Sequence, residues 1–375
     1  MDYIVAGSGA AGISAVEVIL KYKNENDNIT VITSDKYPYY YRPRLVECLS
    51  GKVSVEDIII YDREWFEKRE VILKTKERVT GLNQRKELVE TDRDTYSYDK
   101  LLLACGASPF VPPIDGVEKD NIFTLRYAVD AKKIYSKCCN LKSVAVLGGG
   151  LLGLEAAYNL QKAGLQTTVI EIEDHLLPRQ LDKSGGEILQ NKLKDIGLDF
   201  YTGKEAVKFT GDKRVEGVVF ADGSRIEAEM VLLSAGVRSN SDILQDVEGV
   251  ELNNSIVVDN HMRTGLENVY AAGDVAICNN RFYGLWKPAR QQGEIAGKNM
   301  VGEEVCFEHT APSHKLKVAN TNVVSLGLTD DFLQSEVIKE KDNYMRIYKN
   351  DDKKVGLIVV GEFDNISEIV REINN

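Results

Sequence analysis

The sequence predicts an α/β fold built from two copies of one parallel β-α-β unit, followed by a small α+β unit. Three observations predict it. Residues 3–35 and 143–171 repeat one pattern of apolar strand, glycine-rich turn, helix, polar turn and strand. The strands of both copies are short, continuous apolar runs, as expected of strands buried on both faces of a parallel sheet. From Pro312 onward the pattern changes to short strands (323–328, 344–348, 355–360) closed by a helix from Ser367.

The elements follow in order. The first copy opens with the strand Tyr3 to Ala6, turns through Gly7 to Gly12, and continues as a helix to Leu20. A polar turn, Asn24 to Asn28, leads into the strand Ile29 to Thr33. Residues 71–99 read as an antiparallel excursion of short strands and turns. Tyr98 to Pro109 is a buried strand that breaks at a Gly/Pro turn. Val111 to Gly116 carries two prolines, which cannot join a ladder, and reads as a linker. The second copy runs from the strand Val144 to Leu147, through Gly148 to Gly153, along a helix to Ala163 that Gly164 ends, and into the strand Thr167 to Glu171. A second junction falls near Gly236 to Asn240.

At 375 residues the chain is too long for one ordinary core and suggests two or three domains. The net charge of −11 argues against a nucleic-acid or membrane-surface partner, since both need a basic face. The six cysteines (48, 105, 138, 139, 278, 306) match neither zinc-site nor disulfide spacing, and scattered thiols fit a reducing compartment. The vicinal Cys138 and Cys139 read as incidental. Four dispersed histidines suggest no metal site. The chain opens directly into a strand, with no secretory pattern. No apolar run approaches the roughly 20 residues that cross a bilayer. The expected location is the cytoplasm.

The chemistry lies in the glycine turns. One G-x-G-x-x-G is a weak signal, but here there are two, each leaving an apolar strand and opening a helix. Gly7 and Gly148 permit the tight turn. Gly9 and Gly150 let a pyrophosphate approach the backbone. Gly12 and Gly153 let helix and strand pack closely. The N–H groups at each helix start attract phosphates. Both copies are therefore expected to be Rossmann-like dinucleotide-binding units. Glu171 stands 18 residues past Gly153, where a carboxylate binds both ribose hydroxyls and repels a 2′-phosphate. The next residues, Ile172, Glu173 and Asp174, add no arginine, so NADH is expected over NADPH. In the first copy the strand ends Thr33, Ser34, Asp35. Either Asp35 reaches the ribose or Ser34 replaces the acid.

With these motifs the chain resembles the two-dinucleotide-binding flavoprotein family that includes glutathione reductase, NADH oxidases, ferredoxin reductases and rubredoxin reductases. The resemblance covers essentially the whole chain. It rests also on Tyr98 to Gly106, similar to the family's Y-D-x-L-(L/V)-x-A-T-G with Cys105 in place of the threonine, and on Glu267 to Asp274, similar to its second FAD signature. The resemblance implies FAD on Gly7, Gly9, Ala10, Ala11, Gly12, Thr33, Ser34 or Asp35, Arg42, Val79, Ala104, Cys105, Gly106, Arg126, Gly273, Asp274, Trp286 and Lys287. It implies NADH on Gly148, Gly150, Leu152, Gly153, Glu155, Glu171 and Gly236, with Glu155 near the nicotinamide. The FAD domain would be discontinuous (1–109 with 239–309), around an NADH domain (110–238) and before a C-terminal α+β domain (310–375). A helix begins near Trp286, with Pro288 near its first position. In the family this helix start faces the flavin, and its dipole stabilises the reduced, anionic flavin by up to ~1–2 kcal/mol.

The branch is read from missing sulfur. Disulfide reductases of the family carry Cys-x4-Cys near the first helix. Oxidases, peroxidases and coenzyme-A disulfide reductases carry one cysteine in a loop matching Tyr41 to Leu45. Here that loop holds Arg42, Pro43 and Arg44, and Cys48 comes a few residues late. The acceptor is then external. Overall the chain resembles most the NADH:rubredoxin reductases of clostridia. That implies electrons passed singly to a small acidic iron carrier, rubredoxin first and ferredoxin as an option. Val46 and Glu47 depart from the Ser-Lys of many ferredoxin-reducing relatives. A local basic dock is expected among Arg44, Lys287, Arg290, Lys315 and Lys317. The rivals are an NADH oxidase or peroxide or thiol reductase using Cys48, and a sensor that binds flavin and NADH without turnover.

Overall fold

The structure, a computed structural model, describes residues 1–308, 313–330 and 332–374, without the side chains of 313–316 and Asn374. The two copies form two parallel sheets of the same plan. In the first, the strand order is Val269–Ala271, Lys100–Leu103, Asp2–Ala6, Asn28–Thr33, Val71–Thr75. In the second it is Ile122–Thr124, Met230–Leu233, Ser143–Leu147, Gln166–Glu171, Leu198–Thr202. One expectation needs correction. Val71–Thr75 is no part of an antiparallel excursion but pairs parallel with Asn28–Thr33 at the sheet edge. Only Val79–Asn83, Leu88–Thr91 and Thr95–Ser97 form the antiparallel excursion. Val71–Thr75 was misread because its burial is mixed rather than continuous.

The glycine turns explain why the plan repeats so closely. Gly7 and Gly148 sit at φ +124 and +117, where L side chains are strained. A Cβ on Gly7 would lie 2.2 Å from the carbonyl oxygen of Ala104, and one on Gly148 would lie 2.3 Å from that of Ser234. A Cβ on Gly12 would lie 1.9 Å from the Gly7 carbonyl oxygen, and one on Gly153 2.0 Å from that of Gly148. In both copies the helix is thus pressed against the turn that starts it.

The chain passes between the two sheets twice. Ala107–Pro109 on the way out pairs antiparallel with Val237–Ser239 on the way back. The C-terminal part is an antiparallel sheet of five strands, in the order Ser313–Val318, Thr321–Gly327, Lys353–Val360, Asn343–Asn350, Gln334–Glu340, with the helix Ile366–Asn374 packed on it. The sequence pattern picks out only the three inner strands. Gln334–Glu340 is an exposed, polar edge strand with no apolar alternation to read. One apolar core joins this sheet to the second parallel sheet, through Val144, Leu154 and Leu189 on one side and Val323, Tyr348 and Val360 on the other. Asp182 bolts them further. It caps the helix Lys183–Asp195 through the Gly185 N–H, and accepts from Tyr344 Oη (2.5 Å) and from Arg346 (2.9 Å). Among the described residues no helix is long and apolar enough to cross a membrane.

Gly12→Ala forces a methyl into a backbone carbonyl and should destabilise the protein by about 1–3 kcal/mol. Gly9→Ala points its methyl into open space and should leave apoprotein stability unchanged. Thermal melts of the two apoproteins check this. Equal melting temperatures would contradict it.

Candidate functional site

One cavity of about 1570 Å³ draws its walls from all three parts of the chain. The first copy contributes its glycine turn and helix start (Gly7 to Ala11), Thr33, Ser34 and Ala104 to Gly106. Gly273, Asp274 and the segment Leu285 to Ala289 close the same side. The second copy contributes Leu151, Leu152 and Glu155, and the C-terminal part contributes Lys317 and Ile373.

Three helices begin at this cavity: Ala10–Tyr22, Leu151–Lys162 and Trp286–Met300. None of the three has a side chain capping its first turn. Elsewhere Asp62 and Asp182 do cap their helices. The unpaired first-turn N–H groups are therefore concentrated where the cavity is, which is what an anionic ligand needs. The helix at Trp286 starts two residues before Pro288, so Pro288 is its third residue rather than near its first. Its missing N–H is still one of those that no helical carbonyl would accept.

Two of these helices are held in backbone contact. A Cβ on Gly293 would lie 2.0 Å from the carbonyl oxygen of Ala11, and one on Gly297 2.9 Å from the Ala15 Cα. The buried Gln292 accepts the Gly273 N–H (2.9 Å), which fixes the Gly273–Asp274 turn beside them. Sequence reading missed Gln292, Gly293 and Gly297, although the G-x-x-x-G spacing was available as a signal for close helix approach.

Two buried guanidiniums also meet at the cavity. The Arg42 guanidinium lies 5.4 Å from the ring centres of both Tyr40 and Tyr127 and donates to the Arg126 carbonyl oxygen (2.9 Å). Arg126 pairs with Asp274 at 3.1 Å, while its Nε is buried without a hydrogen-bond partner. Burial, and then the neighbouring Arg42, lower the Arg126 pKa. Two adjacent guanidiniums, an orphaned buried donor and uncapped helix starts suit a bound pyrophosphate. Gly9 adds a steric argument. An added Cβ would meet nothing within 4 Å, so packing within the chain does not explain the glycine, whereas a ligand lying on the turn does. The residues present fit FAD.

Most expected flavin residues meet here: Gly7, Gly9, Ala10, Ala11, Thr33, Ser34, Arg42, Val79, Ala104, Cys105, Gly106, Arg126, Gly273, Asp274, Trp286 and Lys287 all line the cavity. Gly12 does not, because it lies beneath the turn. Asp35 does not either. It is buried, and accepts from Tyr40 Oη (2.6 Å) and the Tyr37 N–H (3.1 Å), so of the two alternatives Ser34 is the one at the cavity. Glu77, also in the wall, was missed.

The second copy is brought in only through its helix. Gly148, Gly150, Gly153, Glu171 and Gly236 lie outside the cavity lining. An added Cβ on Gly150 meets nothing within 4 Å, as at Gly9. Glu171 is buried and accepts the N–H groups of Gly149 (2.6 Å) and Glu173 (3.0 Å), so its carboxylate is tied to the second glycine turn. Glu155 accepts the Ala319 N–H (3.1 Å) from a C-terminal hairpin, and burial raises its pKa.

Cys105 is the cavity's cysteine, and Cys48 lies outside the lining, in the apolar core. Burial pushes the Cys105 thiol up to about 12 and the Cys48 thiol up to about 11. The basic candidates divide. Arg44 is paired with Glu47 (2.7 Å), and Arg290 bonds Ser14 and faces Glu17 (3.5 Å). Lys287 and Lys317 are exposed and line the cavity. The Lys315 side chain lies outside the described residues.

Comparison with known proteins gives concordant findings. The family described as pyridine nucleotide-disulphide oxidoreductase matches residues 1–293, and that described as rubredoxin NAD+ reductase C-terminal domain matches residues 312–375. The NADH-rubredoxin oxidoreductase of Clostridium acetobutylicum is 32% identical over 99% of this chain and 98% of its own length. The assimilatory nitrate reductase electron transfer subunit of Bacillus subtilis is 34% identical over 96% of this chain, but only 47% of its own length is matched, so this chain spans about half of that relative. Among solved structures, NADH:rubredoxin oxidoreductase from Clostridium acetobutylicum matches at TM-score 0.86 and 30% identity, over 100% of this chain and 93% of that one. A NAD-dependent persulfide reductase from A. fulgidus matches at TM-score 0.90 and 27% identity, over 100% of this chain and 76% of that one.

The thiol environments make a prediction. Cys139 and Cys306 are exposed, while Cys48, Cys138 and Cys278 are buried with thiols pushed up to about 11. At pH 8 iodoacetamide should label only Cys139 and Cys306 rapidly in the native protein, because the thiolate is the nucleophile. Peptide mass spectrometry reads the sites. Labelling of Cys105 at a comparable rate would contradict the assignment.

Proposed function

The chain belongs to the pyridine nucleotide-disulphide oxidoreductase family, and within it we propose a reductase that takes electrons from NADH and passes them singly to a small iron carrier, rubredoxin in the first place. At the coarser level it is an NADH-dependent flavoprotein oxidoreductase using FAD and NADH. We read residues 1–109 with 239–309 as the flavin part, 110–238 as the NADH part and 310–375 as the third; the last boundary falls outside the described residues.

One observation carries the choice of acceptor. The cavity's cysteine, Cys105, is held as a protonated thiol, which is a poor nucleophile. An internal thiol relay therefore has no competent first member, and the electrons go to an external partner. The match of the C-terminal part to a rubredoxin-reductase domain supports the same partner.

The chain's residues supply binding and orientation. Arg42, Arg126 and the first-turn N–H groups of Ala10–Tyr22 would hold the pyrophosphate of FAD. The uncapped start of Trp286–Met300 presents donors and a positive dipole end to the cavity, where they would stabilise negative charge on a bound flavin. Bound FAD supplies hydride acceptance from NADH and one-electron release. Leu152 and Glu155 bring the second copy to the flavin part, so the nicotinamide is oriented rather than captured by collision. Trp286 stacks on Tyr39 (5.9 Å between ring centres) and meets Tyr41 edge-on (5.1 Å), which shields one wall from water. Lys287 and Lys317 give an acidic carrier a basic rim.

A panel of rubredoxin, ferredoxin and flavodoxin, each assayed anaerobically with NADH, tests the reading. Rubredoxin should turn over fastest, and its rate should fall several-fold as salt shortens the screening length from about 30 to about 8 Å. Turnover with oxygen or peroxide but with none of the carriers would replace this reading by an oxidase. A flavin that NADH does not bleach would replace it by a sensor. For the nucleotide, Glu171→Ala should reduce the preference for NADH over NADPH on the order of tenfold, since a charged acceptor is lost. A wild-type protein that already prefers NADPH in steady-state kinetics would refute the role of Glu171.

A further inference from the structure

We propose that Glu77 supplies the carboxylate that receives the ribose hydroxyls of the adenosine half of FAD, in place of an acid at position 34 or 35. The proposal rests on the flavin placement above and deepens it.

A ribose presents two adjacent hydroxyl donors, and a carboxylate at the end of the second strand ordinarily accepts both. In the first copy that position is Ser34, a single hydroxyl. Asp35 is spent on Tyr40 Oη and the Tyr37 N–H and stays outside the cavity. The carboxylate at this end of the cavity comes from the neighbouring strand. Just past Val71–Thr75, the Lys76 N–H donates to the Asp35 carbonyl oxygen and the Glu77 N–H to the Thr33 carbonyl oxygen, both at 3.0 Å. Those two bonds set Glu77 directly beside Thr33 and Ser34.

The Glu77 side chain is only 5% exposed, yet it lines the cavity. Its Oε1 accepts from Thr91 Oγ1 and Tyr96 Oη, both at 2.8 Å. Its Oε2 accepts no hydrogen bond from the described residues and is not among the buried atoms sealed without a partner. One oxygen is thus anchored by two hydroxyls that fix the side chain, and the other is left for a donor arriving from the cavity. A buried carboxylate with an unused oxygen costs desolvation free energy unless a ligand satisfies it.

The test measures binding. Apoprotein is titrated with FAD and with FAD whose adenosine ribose lacks the 2′-hydroxyl, following flavin fluorescence. The wild type should bind FAD about tenfold more tightly than the deoxy form, as expected for a hydrogen bond to a charged acceptor. Glu77→Gln, which keeps an oxygen for Thr91 and Tyr96, should cut that preference to about twofold or less. Asp35→Asn should keep it. Equal binding of both flavins by the wild type, an undiminished preference in Glu77→Gln, or its loss in Asp35→Asn would each overturn the proposal. If Glu77→Gln does not fold, Glu77→Asp withdraws the carboxylate by one methylene: loss of preference supports the assignment and full retention overturns it. Failure of the wild type to take up FAD at all would instead strike the flavin placement itself.

Discussion

The site depends on how closely backbone can approach backbone around the helix Ala10–Tyr22. Below its first turn, Gly12 rests on the carbonyl of Gly7; on its flank, Gly293 rests on the carbonyl of Ala11. Neither contact has room for a single methyl group. Together they fix two helix starts against one cavity, and Gln292 fixes the Gly273–Asp274 turn between them. The second copy repeats the first of these contacts at Gly153 and Gly148, but the helix Leu151–Lys162 brings only Leu151, Leu152 and Glu155 into the shared cavity. The two glycine turns are therefore alike in sterics and unlike in position.

What those contacts assemble is an environment that is unfavourable when empty. First-turn N–H groups without caps, a buried Arg126 Nε without a partner and two adjacent guanidiniums each cost free energy in isolation. A bound dinucleotide would satisfy all of them at once, which would link ligand binding to stability. The cost is tolerated because the groups are held by features that do not depend on the ligand. Tyr40 and Tyr127 flank Arg42, and Tyr40 is itself fixed by Asp35. Asp35 thus supports the site from behind, although it does not face it.

This arrangement sets what sequence can disclose. The duplication was legible because Gly7, Gly12, Gly148 and Gly153 answer a steric demand that leaves no alternative residue, and the apolar strands answer burial on two faces. Arg42, Arg126 and Asp274 were legible only through family resemblance, since nothing in their local spacing says that they converge across the fold. The choice between Ser34 and Asp35 was not legible, because it turns on which way one side chain rotates, and a tyrosine five residues on decides it. Glu77 was not legible because its neighbours in space, Thr33 and Ser34, belong to another strand. The edge strand Gln334–Glu340 and the strand Val71–Thr75 were missed or misplaced for the same kind of reason: their partners are remote, and their own patterns are weak. Among the basic-dock candidates, Arg44 and Arg290 have acidic neighbours that a list of charges does not reveal.

The same distinction bears on the sulfur. Judged by position in the sequence, Cys48 was the thiol to suspect, because it follows the loop where relatives carry theirs. Judged by the fold, Cys48 faces the core between the 3-10 helix Arg42–Ser50 and its neighbours, and Cys105 is the residue that reaches the cavity. Lining the cavity is not enough for thiol chemistry, however. A reactive cysteine needs a positive charge or a helix start to hold the thiolate, and Cys105 has burial and the carbonyl oxygen of Asn240 (3.7 Å), both of which favour the protonated form. Of the two buried guanidiniums in this cavity, Arg126 is paired with Asp274 and Arg42 lies between Tyr40 and Tyr127. Burial, not a neighbouring cation, dominates at the Cys105 thiol, which argues against that thiol as a stop for electrons.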